Sequence, residues 1–170
     1  KAGQVTSNET LKQWAPKIED VDGLLAAPAD KKILEGDQLF AVRVAYQTPV
    51  SIPNAAGTGT EEALPSTFED ALAFENLAFF AKLDGNGLVK KCSAAINDQK
   101  GATAIGQALF TALDDGKKAE FALDVIWSKN FKDVKCPKYI GEGLSWLEER
   151  LRVKLVDMLP VSAAKGGDGQ

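Results

Sequence analysis

The chain contains no histidine among its 170 residues. That absence removes serine–histidine and cysteine–histidine catalysis, and every histidine-ligated metal site, from what this chain can do alone. Cysteine is also scarce. Cys92 and Cys136 are far apart and in no metal-like spacing, so the expectation is two reduced thiols in a cytoplasmic protein. No apolar run reaches the ~18 residues of a membrane span, and no secretory signal is visible. Neither a Walker A glycine loop nor a G-x-G-x-x-G turn occurs. The net charge of −4 gives no overall pull toward nucleic acid, although a local basic patch remains possible.

What remains is an ordinary globular composition, 45% hydrophobic and 26% charged, of a length suited to one domain. The expected domain spans 1–165, with 166–170 as a frayed, disordered tail. Residues 9–25 carry Trp14, Ile18, Val21 and Leu25 on one helical face. Pro16 sets a late start or a kink there. Leu39 to Val50, rich in β-branched and aromatic residues, predicts one strand covered on both faces. The segment 51–65, with Pro53, Asn54, Gly57, Gly59 and Pro65, reads as a flexible surface loop. Helices are expected over about 67–83, 88–97, 102–114, 117–129 and 141–158, punctuated by Gly85, Gly101, Gly116 and Gly141. The last has Leu144, Leu147, Leu151 and Leu155 on one stripe, with a Glu148–Arg152 pair outside it. Trp14, Trp127 and Trp146 fall in helical stripes and are expected in the core. Glu35-Gly36-Asp37 reads as a turn.

Two residues carry the chemistry. Pro65-Ser66-Thr67-Phe68-Glu69-Asp70 starts a helix and runs into an almost wholly apolar segment. Glu69 therefore sits at the mouth of buried surface. One reading is a capping box, in which Ser66 caps the helix and Glu69 reaches back to it. The other is metal ligation: a carboxylate with the hydroxyl of Thr67 or Ser66 offers oxygen donors to a hard divalent cation. Downstream, Lys118 shares a helical face with Phe121, Ala122 and Val125 and is expected to look inward, whereas Lys117 has Glu120 and Asp124 as surface partners. Lys118 is either a snorkelling side chain at a helix end or a cation aimed at a phosphate.

Five segments in order carry a family resemblance. They are Val5-Thr6-Ser7-Asn8, Arg43-Val44-Ala45-Tyr46-Gln47-Thr48-Pro49, Ser66-Thr67-Phe68-Glu69-Asp70, Lys117-Lys118-Ala119-Glu120-Phe121-Ala122-Leu123 and 137–147, which reads from Pro137-Lys138-Tyr139 to Trp146-Leu147. Together, over about Val5 to Leu151, they resemble the C-terminal nuclease region of the OLD (overcoming lysogenisation defect) family, in the bacterial class outside the Gabija-type defence systems.

The resemblance implies an α/β fold: a partial Toprim, Rossmann-like sheet element with a mostly helical C-terminal portion. It implies a DNA endonuclease working with two divalent metals, Mg²⁺ or Mn²⁺, with Ca²⁺ as a non-catalytic substitute. The implied partners are DNA and an upstream ABC-type ATPase domain of the same polypeptide, with a homodimer as a further possibility and no membrane. By position, Glu69 matches the family's late metal-ligand glutamate, Thr67 the hydroxyl two residues before it, and Lys118 the lysine that stabilises the pentavalent phosphate.

The family's early glutamate and Asp-x-Asp are not found at their places. Asp20-Val21-Asp22 has the spacing but lies in a helical stretch after the Thr-Ser-Asn motif. The expectation is a chain that starts downstream of those elements, inert alone and weak in metal binding. The competing expectation is a non-catalytic helical interaction or assembly module.

Overall fold

The computed structural model describes residues 9, 18, 20–36, 40–98, 101–113 and 118–158. Within them the protein is mixed α/β and mostly helical, with two small antiparallel sheets. Helix α1 (Val21–Ala26) is capped by Asp20, whose Oδ1 accepts from Gly23 N–H at 2.6 Å. A 3₁₀ turn (Ala29–Lys32) leads into the hairpin of β1 (Ile33–Gly36) and β2 (Phe40–Arg43), registered Ile33 to Arg43 and Gly36 to Phe40. Leu24 and Val44 form a small cluster of their own here, with Ile18 and Tyr46 against it.

The expected strand Leu39–Val50 is not one strand. Pairing with the β1 side ends just past Arg43, where Val44 N–H donates to Lys32 O at 2.9 Å, and a second ladder opens at Val50. Nor is 51–65 simply a loop. β3 (Val50–Pro53) and β4 (Thr60–Ala63) form a hairpin around a turn made by Asn54 and Gly57. Gly57 takes φ +67°, and Asn54 Oδ1 accepts from Thr58 N–H at 3.2 Å. Pro53 is tolerated because it ends its strand. Ile52 and Ala63 point into the core at 1% exposure each, while Ser51 and Glu62 face water. That period of two is what a half-buried hairpin needs, and the polar residues between hide it at sequence level.

The expected helix 67–83 is two: α2 (Phe68–Glu75) and α3 (Leu77–Phe80), broken at Asn76. The break has a tertiary cause. Asn76 is buried and gives its Nδ2 to Leu72 O (2.8 Å) and Lys135 O (3.0 Å), while its Oδ1 accepts from Lys135 N–H at 2.7 Å. One amide therefore satisfies both main-chain groups of a distant residue. Asn76→Ala should cost about 1–3 kcal/mol in urea unfolding, the penalty for orphaned polar groups. Asn76→Leu, which keeps the volume, should cost as much; a neutral leucine would show that the clamp carries no weight.

The remaining helices follow their apolar periods. They are α4 (Gly87–Asn97), α5 (Gly101–Leu113), α6 (Lys118–Ile126) and α7 (Lys138–Met158), with a 3₁₀ turn at Phe131–Asp133. α4 buries Leu88, Val89, Cys92 and Ala95 and packs against α5, which supplies Ile105 and Leu109. Gly101 enters α5 at φ +76°, and Glu61 of β4 accepts from Ala102 N–H at 2.6 Å, capping α5 from the neighbouring hairpin. Phe80 is fully buried. Its ring meets Phe79 edge-on at 5.2 Å and stacks on Phe121 at 5.6 Å.

α7 begins three residues earlier than expected, at Lys138. Its Glu148–Arg152 pair forms at 2.6 Å, and Arg150 pairs with Glu35 of β1. Its leucine stripe is not core: Leu144, Leu147 and Leu151 are all exposed. Trp127 is exposed as well, against expectation, and Trp146 is half-buried. Trp14, Asp37, Lys117 and the tail 166–170 lie outside the described residues, as does the side chain of Leu155. No helix among the described residues is long and apolar enough to cross a membrane.

Candidate functional site

The helix-start signal at 66–70 folds one residue out of step with its capping-box reading. Thr67, not Ser66, is the N-cap: its Oγ1 accepts from Asp70 N–H at 3.2 Å. Asp70, not Glu69, reaches back, and its Oδ2 accepts from Ser66 N–H at 3.0 Å. A Thr-x-x-Asp arrangement thus does the capping. Glu69 is left with no part in it.

Glu69 is nevertheless buried, at 7% exposure. A carboxylate so placed needs compensation. The first turn of α2 supplies some through its unpaired N–H groups and dipole. The rest comes from Lys118, whose Nζ stands 3.6 Å from Glu69 Oε1. Lys118 opens α6, and Phe121 and Val125, one and two turns on, are buried in the core. Phe121 of that helix stacks on Phe80 and ties its first turn to the core. The lysine itself is not inward: its side chain is 62% exposed, and only the amine returns over the carboxylate. The fold thus joins Glu69 and Lys118, with Thr67 in the same turn as Glu69.

Tyr139, at the start of α7, belongs to this neighbourhood and was not singled out in the sequence. Burial pushes its phenol above the usual range, and Cys136, Glu69 and Glu75 add to the effect. It therefore stays protonated and able to donate at neutral pH. Glu75 Oε1 accepts from Lys138 N–H at 2.8 Å, tying the start of α7 to the end of α2. The only signal for Tyr139 was its place in the Pro137-Lys138-Tyr139 segment. Cys92 and Cys136 are free thiols. Burial, with Asp70 adding, holds the Cys92 thiol at about 12, so it is neutral and unreactive.

Glu69 and Thr67 present oxygen donors of the hard kind that suits Mg²⁺ or Mn²⁺. One carboxylate and one hydroxyl are part of a coordination shell and no more. Among the described residues no group of three or more histidine, cysteine or acidic side chains is gathered to hold a metal. Asp22 lies in α1 and Glu35 in β1, where Glu35 pairs with Arg150. No family model matches the sequence, and no curated protein or solved structure is detectably similar to it.

Proposed function

We propose that this chain is the C-terminal part of a metal-dependent DNA endonuclease of the OLD type, with its fold part of a Toprim, Rossmann-like domain. The observation that supports this reading most is the meeting of Glu69 and Lys118 at 3.6 Å from distant parts of the sequence. An acid at a helix N-terminus and a solvent-reaching amine side by side make a surface that can meet a phosphodiester. Lys118 takes the role of a fixed cation for charge gathering on the phosphate. Glu69 holds that amine in place and, with Thr67, offers oxygen ligands. Divalent metal, when bound, supplies the activated water and stabilises the leaving oxygen. The remaining ligands, DNA, and an adjoining ABC-type ATPase domain in the same polypeptide belong to the same proposal.

A second reading is a helical assembly module, in which the Glu69–Lys118 pair is structural only. The exposed Leu144, Leu147 and Leu151 on α7 favour it, since they are spaced as a helix-pairing seam. It also accommodates a homodimer.

Cleavage of supercoiled plasmid separates the two. A polypeptide that carries this region together with an early glutamate and an Asp-x-Asp should nick DNA in Mg²⁺ or Mn²⁺ and stop on addition of EDTA. The 170-residue chain alone should leave the plasmid intact. Nicking by the chain alone would contradict the partial ligand set, and no cleavage by the longer polypeptide would leave the assembly reading.

A further inference from the structure

The local basic patch that the net charge leaves open lies just past α6. From Trp127 to Lys135 the chain carries Lys129, Lys132 and Lys135 against a single acid, Asp133, in a protein whose net charge is −4. This segment borders a concavity of about 650 Å³, with the end of α2, α3 and the residues after it on the other side. That volume lies within the ~300–1,000 Å³ typical of ligand sites. Trp127 stands in its wall at 76% exposure, the most exposed large apolar side chain among the described residues. Indoles left so open mark contact surfaces. Phe79, half-buried, brings a second ring to the lining. Lys82, Lys129 and Lys135 bring amines, none of them paired with a carboxylate among the described residues. The cleft is formed before any ligand arrives. Trp127 N–H donates to Leu123 O at 2.9 Å, Ser128 Oγ donates to Val125 O at 2.8 Å, and the Asn76 amide holds the main chain of Lys135.

The lining decides the class of ligand. Glu75, Asp84 and Asp133 offset the three amines, so a compact anion finds no net charge to hold it. The guest has to bring a flat ring for Trp127, and anions spaced along a flexible backbone for the lysines, Lys132 in the adjoining turn included. A single nucleic-acid strand has both, since every unpaired base offers a face for stacking and a phosphate follows at each step. A duplex keeps its bases stacked on one another, and a bilayer presents a flat surface to what is here a hollow. We propose that this cleft binds single-stranded DNA, with an unpaired base on the Trp127 indole and the flanking phosphates on Lys129, Lys132 and Lys135. That the strand is DNA rests on the nuclease reading; that it is single rests on Trp127. Because the lining is neutral as a whole, the ring contributes more than the charges do. The site is separate from Glu69 and Lys118, neither of which lines it.

The test is fluorescence anisotropy of a labelled oligothymidylate of about 12 nucleotides, a length within the range of single-strand sites, titrated with the 170-residue chain in EDTA. Binding should saturate and weaken as salt rises. Trp127→Ala should weaken it about tenfold or more, the loss expected of one stacked base, and Trp127→Phe should keep most of it. Lys129→Gln and Lys135→Gln should each flatten the dependence of log K on log salt by about 0.7. All three side chains are exposed, so circular dichroism should not change. A duplex of the same length should bind more weakly. No saturable binding, equal affinity for the duplex, or unchanged affinity in Trp127→Ala would each overturn the proposal. So would oligouridylate held more tightly through the same tryptophan, or Trp127-dependent sedimentation with phosphatidylserine vesicles in place of oligonucleotide binding. Strand binding is read without metal, so its failure is distinct from a failure of cleavage, which is read on Glu69 and Lys118.

Discussion

Glu69→Gln and Lys118→Met, made in a polypeptide competent for cleavage, should each lower the rate of plasmid nicking by about 10²–10³-fold. That is the range lost when one preorganised charge is removed from a transition state. Stability should respond unequally. Lys118→Met strands a carboxylate that is 7% exposed, whereas Glu69→Gln frees an amine whose side chain already reaches water. The first should cost about 1–2 kcal/mol, between an exposed pair and a fully buried one, and the second less. The decisive variant is the double one. Glu69→Gln with Lys118→Met removes both charges and keeps both volumes, so it should recover most of the stability lost in Lys118→Met. Cleavage should stay lost. If instead the double variant regains cleavage, the pair is a structural ion pair and the assembly reading stands.

The pairing of Glu69 with Lys118 was open to sequence reasoning because each broke a local pattern: an acid opening an apolar run, and a lysine in register with Phe121 and Val125. The helices 88–97 and 102–114 were legible for the same reason, since Leu88, Cys92 and Ala95 or Ile105 and Leu109 keep the helical period. What failed was set by distant partners. Asn76 ends α2 because Lys135, far along the chain, needs both its main-chain groups met. Nothing near Asn76 announces that. The hairpin of β3 and β4 hid behind Pro53, Gly57 and Gly59, which are loop residues until Ile52 and Ala63 find a core. The cap moved by one residue because Ser66, Thr67, Glu69 and Asp70 offer two overlapping capping boxes. Backbone geometry chose the second, and that choice frees Glu69. The leucine stripe of α7 was correctly periodic, but periodicity does not say which surface will cover it.

Phe80→Ala should have the largest effect on stability, and it should reach the Glu69–Lys118 pair as well. Phe80 is fully buried and lies between Phe79 and Phe121. Emptying that position should cost about 3–5 kcal/mol, the transfer loss plus the cavity left behind. For a domain of this size that is roughly 6–20 °C in Tm, a large share of the ~5–15 kcal/mol a domain holds. The ring also has a positional role. Its stack on Phe121, with planes 5° apart, sets α6, and Lys118 is the first residue of α6. When that support goes, the amine is no longer held over the carboxylate, even at temperatures where the fold persists. At 15 °C, with folding confirmed by circular dichroism, Phe80→Ala should therefore lose cleavage beyond any unfolded fraction. Phe80→Leu, which fills more of the space, should lose less. The loss should also be absent when Lys118 is already methionine, because positioning matters only while there is an amine to position. A Phe80→Ala enzyme that is unstable yet cleaves normally per folded molecule would mean that α6 is set by other contacts, with Val125 in the core the first to examine.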